Sequence, residues 1–358
     1  MPPLARRDVR NLVRKLGADA RPSQQRETLE SIADLSVCGG DRDSLVAIAA
    51  AGAIPPLEQL LESGSGAEVQ HAAAAALANL SKTDENVGII ASAGAIPPLV
   101  QLLGSGSTHE VQRCAAAALN NLAVYPEIAV TIVGAGAIPP LVQMLGHGSE
   151  SEVRRGVAAA LHNLAGNNAL SADAIADAGA IPPLVKMLSR GSTARMQQHA
   201  AKALWALATT PENKVAIATA GGIPPLVQLL SQPESQHAAA GALTRLAVNA
   251  NNKAAIAAAV AIPPLVRMLA AGSPAPARQS AAAALGILAQ TTEIVAFIAS
   301  AGGIPALVQL LLSGPDDLTK QAVSQVLTAL SHNNAENRAA IVAAHANLLR
   351  GMERLGMN

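Results

Sequence analysis

The sequence predicts an all-α protein, a right-handed α-α superhelix of about eight stacked repeats with divergent terminal caps, and three observations carry that prediction. The tetrapeptide Ile-Pro-Pro-Leu stands at Ile54, Ile96, Ile138, Ile181, Ile223 and Ile262, and Ile-Pro-Ala-Leu follows at Ile304, with steps of 42, 42, 43, 42, 39 and 42 residues. Such a period belongs to two- or three-helix units that bury their apolar faces only by stacking on neighbours. Second, a glycine lies two residues before all but one of these motifs, at Gly52, Gly94, Gly136, Gly179, Gly221 and Gly302. A sharp turn with positive φ selects glycine at such a position. Third, alanine supplies much of the apolar half of the chain, while Tyr125, Trp205 and Phe297 are its only aromatic residues. A globular core of this size would draw on many aromatics for buried area, whereas helices packed through Ala and Leu do not need them.

The 358 residues read as one continuous solenoid. Residues 1–50 form a divergent, more charged N-terminal repeat, with helices expected over Val9 to Leu16 and Gln24 to Leu35. Residues 51–331 hold the motif-bearing repeats, each of three helices. A short first helix, such as Glu127 to Val133, runs into the glycine. The second opens at the motif, as in Pro97 to Leu103, where prolines in the first turn cost little because those amides lack intrahelical acceptors. It stops at glycines such as Gly104 and Gly106, and Ser-rich neighbours start the third. That third helix is long, Glu110 to Ala123 in this copy, with an alanine-rich face ending Leu-Asn-Asn-Leu-Ala. Val260 replaces the glycine once, and the preceding turn Ser231-Gln232-Pro233-Glu234 is about three residues short, which predicts a local change of geometry between residues 230 and 262. Residues 332–358 form the C-terminal cap, with Ala346 to Leu355 expected to repeat the second helix. Caps need a polar outer face, which accounts for their divergence.

The unit Gly-Ala-Ile-Pro-Pro-Leu-Val-Gln-Leu-Leu, then Glu-Val-Gln, an alanine-rich helix ending Leu-x-Asn-Leu-Ala, and a short helix resembles the armadillo repeat over nearly the whole chain. In repeat style it is similar to plant and algal-type armadillo proteins and to the fungal vacuolar armadillo protein. The resemblance implies an elongated groove, lined by the third helix of each repeat, that binds extended peptide segments of partner proteins. It also implies that an asparagine near the end of the third helix hydrogen-bonds the partner's backbone. The matching positions are Asn79, Asn121 and Asn163; later repeats place Ala206, Arg245, Ile287 and Ala329 there. The tryptophan that import adaptors carry four residues earlier is absent: Ala75, Ala117, Ala159, Lys202, Gly241, Ala283 and Gln325 stand in its place, and Trp205, in another register, is expected to pack. Nuclear-import cargo is therefore not the expected ligand.

Helical spacing adds a further expectation. Residues eight before the asparagine position lie near the same helix face. There stand His71, Arg113, Arg155, Gln198, His237, Gln279 and Gln321, and with Lys202 and Arg245 they make a mildly basic stripe. His71, Arg113, Arg155, Lys202 and Arg245 are thus expected to select acidic side chains, while Asn79, Asn121 and Asn163 hold backbone. Alternative roles within the resemblance are the substrate-recognition part of a ubiquitin-ligase assembly and a membrane-compartment scaffold.

Composition argues against other classes. The formal net charge is zero, so no overall field draws the chain to nucleic acid or to an anionic membrane. The basic residues near the N-terminus, Arg6, Arg7, Arg10, Arg14 and Lys15, lack aromatics for base stacking. Cys38 and Cys114 are isolated and read as buried small hydrophobes, and the eight histidines form no ligand motif, so neither a metal nor a cofactor is expected. Gly-Ser stretches such as Gly104 to Ser107 lack the Gly-Lys-Ser/Thr of a phosphate loop. Asp84-Glu85 and Asp316-Asp317 sit where helices begin and favour the helix dipole. The expectation is a monomeric, non-enzymatic adaptor of the cytoplasm or nucleus, not inserted in a membrane, with protein partners.

Overall fold

The structure is a computed structural model that describes residues 6–17, 20–37, 42–62, 66–104, 106–146, 150–332 and 334–354. The described residues form helices and turns with no strand, and the chain divides into two compact units, Met1–Ala180 and Ile181–Asn358.

The first unit opens with α1 (Arg6–Arg14) and α2 (Pro22–Val37). Three triplets follow: α3 (Arg42–Ala50), α4 (Ile54–Gln59) and α5 (Ala67–Leu80); α6 (Asp84–Ser92), α7 (Ile96–Gln101) and α8 (His109–Leu122); α9 (Pro126–Gly134), α10 (Ile138–Met144) and α11 (Ser151–Asn167). Helix α12 (Ala169–Asp177) closes the unit. The second unit begins with α13 (Ile181–Met187) and α14 (Ala194–Leu207). Its triplets are α15 (Pro211–Thr219), α16 (Ile223–Leu229) and α17 (Gln236–Leu246); α18 (Ala250–Ala258), α19 (Ile262–Met268) and α20 (Ala275–Leu288); α21 (Thr292–Ser300), α22 (Gly303–Leu312) and α23 (Asp317–Ser331). Helix α24 (Ala335–Arg354) ends it.

The third helices α2, α5, α8 and α11 pack side by side in the first unit, as do α14, α17, α20 and α23 in the second. Alanine permits that approach: Ala73, Ala74, Ala76, Ala115, Ala118, Ala239 and Ala242 are all buried, beside Leu77, Leu119 and Leu243. The motif supplies the other wall of each core, through buried Ile54 and Leu57, Ile96 and Leu99, Ile223 and Leu226. The core is aliphatic. Tyr125 and Trp205 are half-buried, and Phe297 is 60% exposed.

The glycine before each motif is left-handed, with φ between 78° and 90° at all six positions. Val260 takes the seventh at φ 60°, the one non-glycine residue with positive φ among the described residues. A β-branched side chain there is strained by roughly 1–2 kcal/mol. Replacing Val260 by Gly should raise the stability of the second unit by about 0.5–1 kcal/mol after the entropy of glycine in the unfolded chain is set against the relief. Urea unfolding followed by circular dichroism checks it; an unchanged or lower midpoint would refute the strain.

Two expectations about irregular repeats have structural outcomes. The short turn after α16 is taken from the next helix, since α17 has 11 residues where α14 and α20 have 14; its first turn is missing. At the C-terminus the expected second helix does not start separately. Helix α24 runs unbroken for 20 residues, because Ala344, Ala346 and Asn347 replace the glycine, isoleucine and first proline that would have broken it. Residues 355–358 lie outside the described ones, as does Cys38.

Candidate functional site

Within each unit the third helices lie side by side, and at their C-terminal ends the last four carbonyls of each helix lack intrahelical donors. The asparagine position meets this need. Asn121 on α8 donates from Nδ2 to the Ala78 carbonyl at 3.0 Å and to Ser81 Oγ at 3.1 Å, both at the end of α5. Asn163 on α11 donates to the carbonyl and Oδ1 of Asn120, each at 3.2 Å. Asn79 accepts at Oδ1 from Lys82 Nζ, 2.9 Å away. In the second unit Arg245 makes the same tie, its Nη1 donating to the Trp205 carbonyl at 2.9 Å. Asn121, Asn163 and Arg245 therefore link one third helix to the next within each unit, on the face where a partner is expected, while the Asn79 contact is local to the end of α5.

Residues eight positions earlier form a second row of ties. Arg26 on α2 donates to Glu68 Oε2 on α5 at 2.6 Å, and Gln198 on α14 to the Glu234 carbonyl at 2.6 Å. His237 Nδ1 lies 3.0 Å from the Pro276 carbonyl and 2.9 Å from Ser280 Oγ. Arg155 instead pairs within its own helix, with Glu152 Oε2 at 2.9 Å and 2.6 Å. His71 lines a cleft of about 570 Å³ with Arg26, Glu30, Glu68 and Glu110. Arg113 is exposed and Lys202 half-buried. In the first unit the stripe is thus interleaved with carboxylates, because Glu68, Glu110 and Glu152 each stand three residues before its members. Exposed ion pairs of this kind are screened by solvent and weak, so a partner's charges can exchange into them at small cost.

Sequence reasoning missed a third set of residues. Gln70, Gln112 and Gln197 each donate from Nε2 to the two last carbonyls of the second helix and its turn: Leu61 and Glu62, Leu103 and Gly104, Leu188 and Ser189. Gln25 does the same to Leu16 and Gly17. Their recurrence at the repeat period, in the Glu-Val-Gln of the first copies, was the available signal. A glutamine amide carries two donors and so can cap two carbonyls at once.

Reactive chemistry is sparse on these faces. Burial pushes the Cys114 thiol above its usual range, which disfavours a nucleophilic thiolate. Among the described residues no three His, Cys, Asp or Glu side chains gather as metal ligands, and no single helix is long and apolar enough to cross a membrane.

Comparison with known proteins agrees with this architecture. The armadillo/β-catenin-like repeat family matches residues 168–209, 210–248 and 291–324, and the HEAT repeat family matches residues 54–162. No curated protein matches the chain. Among solved structures, an engineered protein is similar at 35% identity with a TM-score of 0.82, over 94% of this chain and 82% of that one. A designed armadillo repeat protein is 31% identical with a TM-score of 0.60, over 66% of this chain and 99% of its own. Another, solved in complex with the peptide (KR)4, is 30% identical with a TM-score of 0.58, over 67% of this chain and 99% of its own. With its period, its three-helix units and these similarities, the chain belongs to the armadillo repeat family.

Proposed function

We propose that this protein is a non-enzymatic interaction scaffold that holds extended segments of partner proteins against its third helices. The observation that carries the reading is the succession of polar side chains on the third helices, eight residues before the asparagine position in every motif-bearing repeat and at that position itself in α5, α8, α11 and α17. Packed helices lie about 8–10 Å apart, and an extended chain advances about 3.3 Å per residue, so each repeat meets two or three residues of a bound strand. Side chains that already donate to helix carbonyls can share that bonding with a partner's backbone. The peptide complex of a designed relative supports the same use of the fold. The chain works as a monomer, with cytoplasmic or nuclear protein partners and no nucleic acid.

Glu30, Glu68 and Glu110 beside Arg26 and His71 make the first unit's cleft amphoteric, so it accepts basic as well as acidic side chains. The test fills that face without cutting any tie. Ala75 and Ala117 are half-buried on α5 and α8, and Ala75→Gln with Ala117→Gln adds neutral bulk there. Used as bait in a whole-cell lysate, this variant should lose specific partners that the intact chain retains while its helical circular dichroism stays the same. An unchanged partner list would reject the third-helix face of the first unit as the site.

A further inference from the structure

The second unit carries a feature that the repeat pattern does not require. Trp205, the chain's only tryptophan, lies against Gly241 so closely that a Cβ on Gly241 would meet indole carbons at 2.6–2.9 Å. Glycine in a helix interior costs about 1 kcal/mol relative to alanine, and alanine holds this register at Ala75, Ala117, Ala159 and Ala283. Gly241 is thus a seat for the indole. The ring is flanked along α17 by His237, edge-on at 5.2 Å between centroids, and by Arg245, whose Cζ is 5.7 Å from the ring centroid.

Charge separates this face from that of the first unit. Helices α14, α17 and α20 carry Arg195, Lys202, Arg245 and Arg278 and not one carboxylate, whereas α2, α5, α8 and α11 carry Glu27, Glu30, Asp34, Glu68, Glu110 and Glu152. Arg278 is turned to the carbonyls of Ala271 and Ser273 in the turn between α19 and α20. Arg245 is half-buried on the third-helix face. Its guanidinium meets the Trp205 and Ala206 carbonyls, and among the described residues no carboxylate forms an ion pair with it. Desolvation alone draws its pKa down, with no neighbouring anion to compensate. A half-buried cation without a counter-charge is stabilised by any anion that reaches it, and more strongly than an exposed one because the local dielectric is lower.

We propose that Trp205, seated on Gly241 between His237 and Arg245 and bordered by Lys202, is a reading subsite for an acidic extended peptide. A carboxylate of the peptide pairs with Arg245, and an adjacent apolar or planar side chain lies on the exposed part of the indole. This rests on the scaffold reading above and adds a partner chemistry and a place. An acidic peptide is favoured over a nucleic acid because a single aromatic offers one stacking platform, where strand binders use several.

The sole tryptophan makes its own probe. The full chain is titrated with the octapeptide (Glu-Pro)4, which stays extended and offers proline to the indole, with (Lys-Pro)4, and with octathymidylate, each followed by Trp205 emission and by calorimetry. The expected result is a saturable emission change with (Glu-Pro)4 alone, weakened about tenfold or more by raising salt from about 50 to about 300 mM. Arg245→Gln keeps a donor for the Trp205 carbonyl and removes the charge, and together with Lys202→Ser it should weaken the same titration by about tenfold or more. Calorimetric binding of (Glu-Pro)4 without an emission change would overturn the subsite and leave the scaffold reading standing. A response to (Lys-Pro)4 as strong as that to (Glu-Pro)4 would overturn the charge selection. An equal or stronger response to octathymidylate would overturn the peptide in favour of nucleic acid. Binding of neither peptide would overturn the subsite, while the scaffold reading stands or falls with the lysate experiment on Ala75 and Ala117.

Discussion

Gly241→Ala should destabilise the second unit by about 2 kcal/mol in the native chain and stabilise it by about 1 kcal/mol when Trp205 is already alanine. The reversal follows from geometry. A Cβ at Gly241 would stand 2.6 Å from indole Cε2 and 2.7 Å from Cδ2, and the ring cannot slide freely because His237 and Arg245 flank it. Overpacking of this kind ordinarily costs 1–3 kcal/mol. Once the indole is removed, the same substitution only exchanges a poor helix former for the best one. Urea unfolding of the four members of the cycle gives the coupling, provided that amide exchange within α17 is read beside the global signal, because repeat arrays need not unfold in one step. A like sign in both backgrounds would mean that Trp205 is not seated on Gly241, and the reading subsite would lose its foundation.

What the sequence disclosed and what it hid divide along a physical line. Backbone consequences were legible: the left-handed glycines, the prolines that open second helices, and the strain at Val260 all depend on φ and on the absence of an amide hydrogen, which are properties of single residues. The division into Met1–Ala180 and Ile181–Asn358 was not, since the repeat motif crosses Ala180–Ile181 with no change of composition. Side-chain partnerships were legible only in part. Arg245 looked like a departure from the asparagine row, yet its guanidinium reaches the equivalent carbonyl of the preceding third helix; two chemically different donors satisfy one acceptor. The basic stripe was traced along single helices. Glu68 and Glu110 are adjacent to it in space as well as three residues away in sequence, and the single position eight before the asparagine does not include them. The seat of Trp205 is set by two residues on neighbouring helices, α14 and α17, and their registers differ. No periodicity aligns them.

Asn86 carries the second large effect. It is fully buried on α6, and its Nδ2 donates to the Leu80 carbonyl at 3.0 Å and the Leu45 carbonyl at 3.2 Å, joining the first helices α3 and α6 to the end of α5. Related ties recur where Asn252 donates to the Lys214 carbonyl and Asn337 to the Leu330 carbonyl. Asn86→Ala removes both bonds and opens a cavity, and we expect a loss of about 3 kcal/mol. The carbonyls are not wholly orphaned, since Thr83 Oγ1 also donates to Leu80 at 3.0 Å, which keeps the figure below that of a severed network. Ile128 and Ile294 hold the corresponding place in other repeats, so Asn86→Ile fits the fold. It restores volume and removes Oδ1, which has no hydrogen-bond donor among the described residues. Its expected cost is about 1 kcal/mol, close to the net worth of the ties alone. The two variants, compared by urea unfolding, separate packing from hydrogen bonding at one site. Equal large losses would assign the whole effect to the bonds, and a loss below about 0.5 kcal/mol for Asn86→Ala would show that this asparagine holds nothing together.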